Sequence, residues 1–114
     1  MSPRDPTPES VFPVGLLLDG RPCLVVGGGK IATRKVRSLV EAGALVTVVS
    51  PDVQAELAEL IAAGTIKHHA RDFAAEDVAG QFLVFAATSI EPINRRVLEE
   101  CARHNVLALS LIHI

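Results

Sequence analysis

The chain has 114 residues, of which 49% are hydrophobic and 21% are charged, and this balance predicts one globular domain rather than a disordered or fibrous chain. A formal net charge of -2 without a long basic tract gives no reason to expect a nucleic-acid partner. No apolar run suits a membrane span or a signal peptide, and Cys23 and Cys101 are too few for a disulfide framework, so we expect a cytoplasmic protein without a membrane partner.

The amino-terminal part of the chain is predicted to be a flexible arm over residues 1–11, because proline and charge dominate it and no periodicity appears. The ordered domain is then expected over residues 12–114. Its first apolar run, Phe12–Leu18, is interrupted by proline and glycine, which favours an edge strand. The dipeptide Asp19-Gly20 is typical of a turn, so this run is expected to form a hairpin with the strand that follows.

The segment from Cys23 to Ala32 is the most informative part of the chain, because four apolar residues lead into three glycines and then into a helical pattern. It fits the pattern G-x-G-x-x-A, in which Gly27 allows a sharp turn and Gly29 lets a diphosphate approach the backbone. Amides at the start of the helix, with the positive end of its dipole, then face the phosphates. The alternative is a strand-to-helix turn without a ligand, since such turns also occur in sheets that bind no nucleotide.

The first helix is predicted over about residues 30–42 from its apolar periodicity. Arg34 and Lys35 lie near its start, where cations oppose the helix dipole unless an anion is close. For these two residues an anionic ligand and a solvated surface both remain open. Arg37 is expected on the solvated face, paired with Glu41 one turn later.

A second buried strand is predicted over Leu45–Val49, and it ends at Ser50-Pro51-Asp52. Dinucleotide domains often place an acid near this tip, where it binds the adenosine ribose. Asp52 could bind a ribose, or it could begin the next helix, over about residues 52–63, as an acid at its positive end. Neither a clear acid nor an arginine occupies the tip itself, so the choice between NAD and NADP stays open from the residues alone.

The remaining pattern gives a strand at 65–69, a connection at 72–80 with one helical turn, a strand at 82–87, a helix at 91–103 and a strand at 106–112. Thr88 follows the fourth strand of this series and is expected either to contact a cofactor or to cap the next helix. The adjacent His68 and His69 point to opposite faces of a strand, so no metal site is predicted. The alternation of strands and helices with right-handed crossovers predicts an α/β, Rossmann-like domain with a doubly wound parallel sheet in the order 3-2-1-4-5.

Several motifs together resemble the amino-terminal domain of siroheme synthase, the precorrin-2 dehydrogenase family. They are the glycine turn with its flanking residues, the segments Glu41–Ala44 and Val46–Pro51, and Ala86-Ala87-Thr88 with Asn94 downstream. The resemblance covers about residues 12–107. It implies an NAD-dependent oxidation of the tetrapyrrole precorrin-2 to sirohydrochlorin in siroheme biosynthesis, with iron insertion at the same site in some relatives.

The resemblance also implies roles for individual residues. Carried over by position, the residues that bind NAD are Gly27, Gly28, Gly29, Lys30 and Ile31 at the diphosphate, Ser50, Pro51 and Asp52 at the adenosine end, and Thr88 beside the cofactor. Because the substrate of that family is a polycarboxylate, Arg34 and Lys35 become candidate substrate contacts.

The carboxyl end departs from that family, which follows its fifth strand with an Asn-x-x-Asp segment, whose Asp is the candidate acid/base, and then with a dimerisation and substrate region. In register, Leu109 and Ile112 occupy those two places, so the catalytic residue stays unknown. We therefore expect this chain alone to be inactive, residues 109–114 not to be the native continuation, and the full-length protein to be a homodimer. The alternative function is an NAD(H)-binding regulatory module without catalysis.

Overall fold

The structure is a computed structural model, and it describes residues 13–110. Strands and helices alternate along this part of the chain, as the apolar pattern predicts. The elements are β1 Pro22–Val26, α1 Lys30–Glu41, β2 Leu45–Val49, α2 Ala55–Ala62, β3 Lys67–His69, a 3₁₀ turn Ala75–Val78, β4 Leu83–Ala86, α3 Glu91–Arg103 and β5 Leu107–Ser110. Helix α2 begins three residues later than predicted, because the backbone before it is bonded elsewhere: the amide of Gln54 donates to the carbonyl oxygen of Gly28 at 2.9 Å.

The five strands form one parallel sheet in the order β3-β2-β1-β4-β5, which confirms the predicted topology. Strand β1 pairs on one side with β2, where Val26 lies opposite Val49, and on the other side with β4, where Val26 lies opposite Ala86. The carboxyl ends of three strands therefore lie side by side. The glycine turn after β1 leaves the sheet between the tips of β2 and β4, the point at which the strand order reverses.

The predicted edge strand is wrong for the residues that the structure describes, since residues 13–18 belong to no strand. The reason is topological: both neighbouring positions of β1 are taken by β2 and β4, so β1 has no free edge for a hairpin partner. Phe12 and the arm over residues 1–11 lie outside the described residues, as do the last two residues of the strand predicted at 106–112.

Helices cover both faces of the sheet. Helices α1 and α2 pack on one face, where Val25, Val36 and Leu57 are buried together. Helix α3 and the 3₁₀ turn pack on the other face around Leu24 and Val97. Because both of their faces are buried, β1 from Cys23 and β4 are continuously apolar rather than alternating.

The two cysteines, Cys23 and Cys101, are free thiols with no exposed surface, one on each side of the sheet. Burial raises the pKa of each thiol, so both stay protonated and act as small apolar side chains. None of the helices between residues 13 and 110 combines the length and the apolar character that crossing a membrane requires.

Arg37 pairs with a different carboxylate from the one expected. Its guanidinium binds both carboxylate oxygens of Glu56 on α2, with Nε 2.7 Å from Oε2, rather than Glu41 on its own helix. The two helices lie side by side on one face of the sheet, which brings Glu56 within reach. Both side chains are solvent-exposed, so the pair adds little to stability.

Candidate functional site

A cleft of about 560 Å³ opens at the carboxyl ends of β1, β2 and β4, and we refer to it as the switch-point cleft. Its volume lies within the range of small-molecule sites, roughly 300–1,000 Å³. All nine residues predicted to bind a cofactor line it: Gly27, Gly28, Gly29, Lys30, Ile31, Ser50, Pro51, Asp52 and Thr88. Further lining residues that the sequence did not assign include Gln54, Asp72, Phe73, Ser89 and Ile93.

Gly27 joins the three strand tips through its backbone. Its amide donates to the carbonyl oxygen of Val49 at 3.0 Å, and its φ of +133° is unfavourable for any residue with a side chain. A Cβ atom at this position would lie 2.5 Å from the carbonyl oxygen of Ala87, beyond the end of β4. The backbone of the turn therefore fits between β2 and β4 only because Gly27 lacks a side chain.

Gly28 packs against the loop that follows β2. A Cβ atom here would lie 2.0 Å from the carbonyl oxygen of Asp52 and 2.8 Å from Oγ of Ser50. The hydroxyl of Ser50 donates to that same carbonyl oxygen of Asp52 at 2.6 Å, so its proton is used within the loop. Ser50 thus shapes the wall of the switch-point cleft at the tip of β2 rather than offering a free donor to it.

Gly29 differs from the two glycines before it, because a Cβ atom there would meet nothing within 4 Å. It is the N-cap of α1, a helix that begins with no side-chain cap and no acid in its first turn. Amides at such a helix start lack intrahelical acceptors and attract anions. Together with Lys30, a cationic residue of the lining, these donors fit the diphosphate of a dinucleotide.

Thr88, at the tip of β4, is held by Asn94 on α3. The Oδ1 atom of Asn94 accepts from the amide and from the hydroxyl of Thr88 at 3.1 and 2.7 Å, and its Nδ2 donates to the carbonyl oxygen of Thr88 at 2.9 Å. The Thr88 hydroxyl also accepts from the amide of Ile90, which precedes α3, at 3.1 Å. Thr88 therefore lines the cleft and bonds to the segment before α3, but it does not cap that helix, because the N-cap is Ile90 and no side chain bonds there. Its contact with a cofactor stays a prediction.

Asn94 was not predicted as a site residue, although its place on the apolar face of the predicted helix indicated a buried polar side chain. Asn94 is only 8% exposed and lies one turn before the buried Val97 on the inner face of α3. A polar side chain on a buried helix face requires hydrogen-bond partners, and the nearest strand tip supplies them.

We expect Asn94→Ala to lower the free energy of unfolding by about 2 kcal/mol, because the part-buried amide and carbonyl of Thr88 lose their partners. Urea denaturation followed by circular dichroism measures the change. Asn94→Asp is the matched variant: it keeps the acceptor and loses only the donor, so a smaller loss is expected. Equal stability of Asn94→Ala and the unaltered chain would contradict this account of the pair.

A second set of polar contacts closes the loop between β3 and the 3₁₀ turn. Arg71 donates to both carboxylate oxygens of Asp77 at 2.6 and 2.8 Å, and the amide of Ala74 donates to the same carboxylate at 2.8 Å. The side chain of Asp77 is only 6% exposed. Asp72 and Phe73 lie inside this closed loop and line the switch-point cleft, so the Arg71–Asp77 pair fixes one wall of it.

The contacts of Asp77 also predict how the stability of the fold depends on pH. The hydrogen bonds from Arg71, with that from Ala74, lower the pKa of Asp77 below its ordinary value. A carboxyl with a lowered pKa stabilises the fold above its unfolded pKa, and this stabilisation is lost as the pH falls through the folded value. The urea midpoint of Asp77→Asn should therefore lie below that of the unaltered chain at pH 7, and the gap should shrink below about pH 4. A gap that is constant from pH 7 to pH 3 would contradict this role.

The two candidate substrate contacts are not among the residues that line the switch-point cleft. Arg34 is exposed on α1, and the Nζ atom of Lys35 lies 5.8 Å from the centre of the Phe85 ring on the sheet. Their binding to substrate carboxylates stays a prediction. Of the adjacent histidines, His68 bonds through Nε2 to the carbonyl oxygen of Ser50 at 2.9 Å, and no group of three potential metal ligands occurs within residues 13–110.

The comparison with known families bears directly on this cleft. The family model NAD_binding_7, described as "Putative NAD(P)-binding", matches residues 14–111. The chain belongs to this family. The matched range includes the glycine turn and the tips of β2 and β4. All residues that line the switch-point cleft therefore lie in the part of the chain that matches the NAD(P)-binding family.

Individual relatives of this NAD(P)-binding chain are siroheme synthases, which confirms the resemblance found in the sequence. The chain is 48% identical over 95 residues to the siroheme synthase of Methylobacillus flagellatus, covering 83% of the chain and 20% of the relative. It is 52% identical over 90 residues to that of Thioalkalivibrio sulfidiphilus, covering 79% of the chain and 18% of the relative. The chain thus spans about a fifth of the length of the curated relatives that it matches.

Two solved structures have a fold similar to that of this chain of the NAD(P)-binding family. The chain superposes on SirC, precorrin-2 dehydrogenase, with a TM-score of 0.77 and 36% identity, covering 86% of the chain and 48% of that protein. The apo-structure of D-lactate dehydrogenase from Escherichia coli has a TM-score of 0.64 and 19% identity, covering 84% of the chain and 30% of that protein. At that identity the second similarity supports the fold alone.

Proposed function

We propose that this chain is the NAD-binding part of a precorrin-2 dehydrogenase, which oxidises precorrin-2 to sirohydrochlorin in siroheme biosynthesis. The observation that carries the proposal is the open, uncapped start of α1 within a chain 36% identical to SirC, precorrin-2 dehydrogenase. Bound NAD supplies the hydride acceptor for this oxidation. A cytoplasmic location and a homodimeric full-length protein belong to the same proposal.

Different residues of the cleft bind different parts of NAD. Gly29, Lys30 and the first amides of α1 hold the diphosphate, as a helix start binds anions in many nucleotide sites. Asp52, exposed beyond the tip of β2, accepts hydrogen bonds from the adenosine ribose. Its carboxylate also repels the additional phosphate of NADP, which favours NAD as the cofactor. Thr88 forms the wall on the β4 side.

A second candidate function is an NAD(H)-binding regulatory module without catalysis. One observation favours it: β5 carries Leu109, 43% exposed, where the resemblance places the asparagine of the Asn-x-x-Asp segment. The position of the aspartate, Ile112, lies outside the described residues. A cleft that binds the cofactor without a carboxylate supplied from the end of β5 would sense the cofactor rather than use it.

Two measurements test these functions. Isothermal calorimetry of the 114-residue chain should give binding heat with NAD and weaker binding with NADP, and NAD should raise the melting temperature. The full-length protein should then form NADH when precorrin-2 is added. Binding of NAD without turnover by the full-length protein would favour the regulatory module, and no binding of either nucleotide would refute both functions.

A further inference from the structure

The carbonyl oxygen of Gly29, at the start of α1, accepts two hydrogen bonds from one residue. The amide of Thr33, one helical turn later, donates to it at 2.9 Å, and the hydroxyl of Thr33 donates to it at 2.8 Å. The first bond is the ordinary one of an α-helix, and the second is added by the side chain. Thr33 is buried and does not line the switch-point cleft, so its hydroxyl acts on the glycine turn from inside the helix.

This second bond leaves the amides of the helix start free. The usual way to hold a helix start is an N-cap side chain whose oxygen accepts from the amides of the first turn. Such a side chain would occupy the donors that an anion needs, and α1 has none, because its N-cap is Gly29. Thr33 holds the same turn through a carbonyl oxygen instead. The start of α1 is therefore held in place without the loss of a donor.

The bond also determines where the next amide points. In a planar trans peptide group the C=O and the N–H point in opposite directions. Because the carbonyl of Gly29 points along α1 to Thr33, the N–H of Lys30 points away from the helix, at the end where Lys30 lines the switch-point cleft.

The glycine turn needs such a restraint more than most helix starts do. The peptide group that precedes Lys30 follows three consecutive glycines, the residues whose backbone rotates most freely. Each bond to the carbonyl of Gly29 opposes rotation of that peptide group. A donor that is already oriented binds its ligand with a smaller loss of conformational entropy.

We propose that Thr33 is a positioning residue for the cofactor: its hydroxyl holds the peptide group between Gly29 and Lys30 so that the amide of Lys30 points at the diphosphate of NAD. The proposal rests on the proposed function, and the match to the NAD(P)-binding family includes this turn. Thr33 itself does not touch the cofactor. It adds to the cleft a residue that acts through the backbone of the turn.

Thr33→Val tests the role of the hydroxyl, because valine keeps the branched shape and the amide bond to Gly29 remains. Calorimetry of the 114-residue chain should show affinities for NAD and for ADP that are about three- to tenfold lower, the effect of one hydrogen bond. Adenosine has no phosphate, so its affinity, measured by competition against NAD, should not change. A merely structural role of Thr33 would weaken all three ligands alike. Thr33→Ser restores the hydroxyl and should restore the affinity for ADP.

Ser38→Ala is the matched control. The hydroxyl of Ser38 donates to the carbonyl oxygen of Arg34, four residues earlier on the same helix, at 3.2 Å. This is the same kind of bond as that of Thr33, but neither Ser38 nor Arg34 lines the switch-point cleft. Ser38→Ala should therefore leave the affinities for NAD and ADP unchanged. Melting temperatures show that each variant is folded, and Thr33→Ala replaces Thr33→Val if valine prevents folding.

The possible failures are distinct. If the unaltered chain binds NAD and Thr33→Val binds NAD and ADP equally well, the role of Thr33 is refuted and the NAD function stands. If adenosine weakens as much as ADP, or if Ser38→Ala weakens ADP as much as Thr33→Val does, the effect belongs to the helix as a whole and the positioning role is refuted. If NAD does not bind the unaltered chain, the proposed function fails and the role of Thr33 fails with it.

Discussion

Gly29→Ala is expected to weaken NAD binding by about 100-fold or more while leaving the chain folded. The backbone of Gly29 is extended, with φ of -90°, and a Cβ atom there meets nothing within 4 Å, so alanine fits the protein itself. The added methyl group would occupy open space at the start of α1, where the diphosphate must approach the amides. Calorimetry with NAD measures the loss.

Thermal denaturation provides the control for this variant. Alanine is a poorer N-cap than glycine, so a loss of up to about 1 kcal/mol in the free energy of unfolding is expected. A folded Gly29→Ala chain that binds NAD as tightly as the unaltered chain would show that the diphosphate does not approach this turn. A large loss of stability would instead show that the position is not open in solution.

The local pattern of the sequence was enough to predict the centre of the fold. The apolar run before Gly27, the helical period after Ala32 and the run Leu45–Val49 each determine an element by themselves, because burial on both faces of a parallel strand demands a continuous apolar stretch. The handedness of crossovers then determines the strand order. That order places the glycine turn, Asp52 and Thr88 at one edge of the sheet, whereas the roles of the other cofactor residues were implied by the family resemblance.

Contacts between distant side chains could not be predicted in this way. The pairing of Asn94 with Thr88 and of Arg71 with Asp77 depends on how α3 and the loop after β3 lie against the sheet. Arg37 was expected to bind Glu41, a neighbour on its own helix, and the packing of α2 offered Glu56 instead.

The edge strand expected at Phe12–Leu18 shows that backbone pairing, like side-chain pairing, cannot be predicted from the local sequence alone. Apolar residues before a turn favour a hairpin locally, but a hairpin partner needs a free edge on β1. The strand order, which the sequence also predicted, leaves β1 between two neighbours. The two predictions were incompatible, and the sheet order was the correct one for the residues that the structure describes.

Gly27→Ala is expected to cost about 3–5 kcal/mol of unfolding free energy, which is a large part of the stability of a domain of this size. Two effects add. The φ of +133° is strained for alanine, and the new Cβ atom would lie 2.5 Å from the carbonyl oxygen of Ala87. Relief of that contact requires β1 and β4 to separate at their tips, which also breaks the bond from the amide of Ala87 to Val26.

Gly64→Ala is the control that separates the backbone strain of a positive φ from the steric contact of the new Cβ atom. Gly64 also has a positive φ, +76°, but a Cβ atom there meets nothing within 4 Å, so only the conformational strain of about 1 kcal/mol is expected. Melting temperatures of both variants measure the difference: each kcal/mol lowers the value by about 4–8 °C in a domain of this size. If Gly27→Ala melts no lower than Gly64→Ala, the turn does not lie against β4. The close contact of Gly27 with Ala87 holds the tip of β4, and with it Thr88, next to the glycine turn. Without that contact, Thr88 would not form a wall of the switch-point cleft.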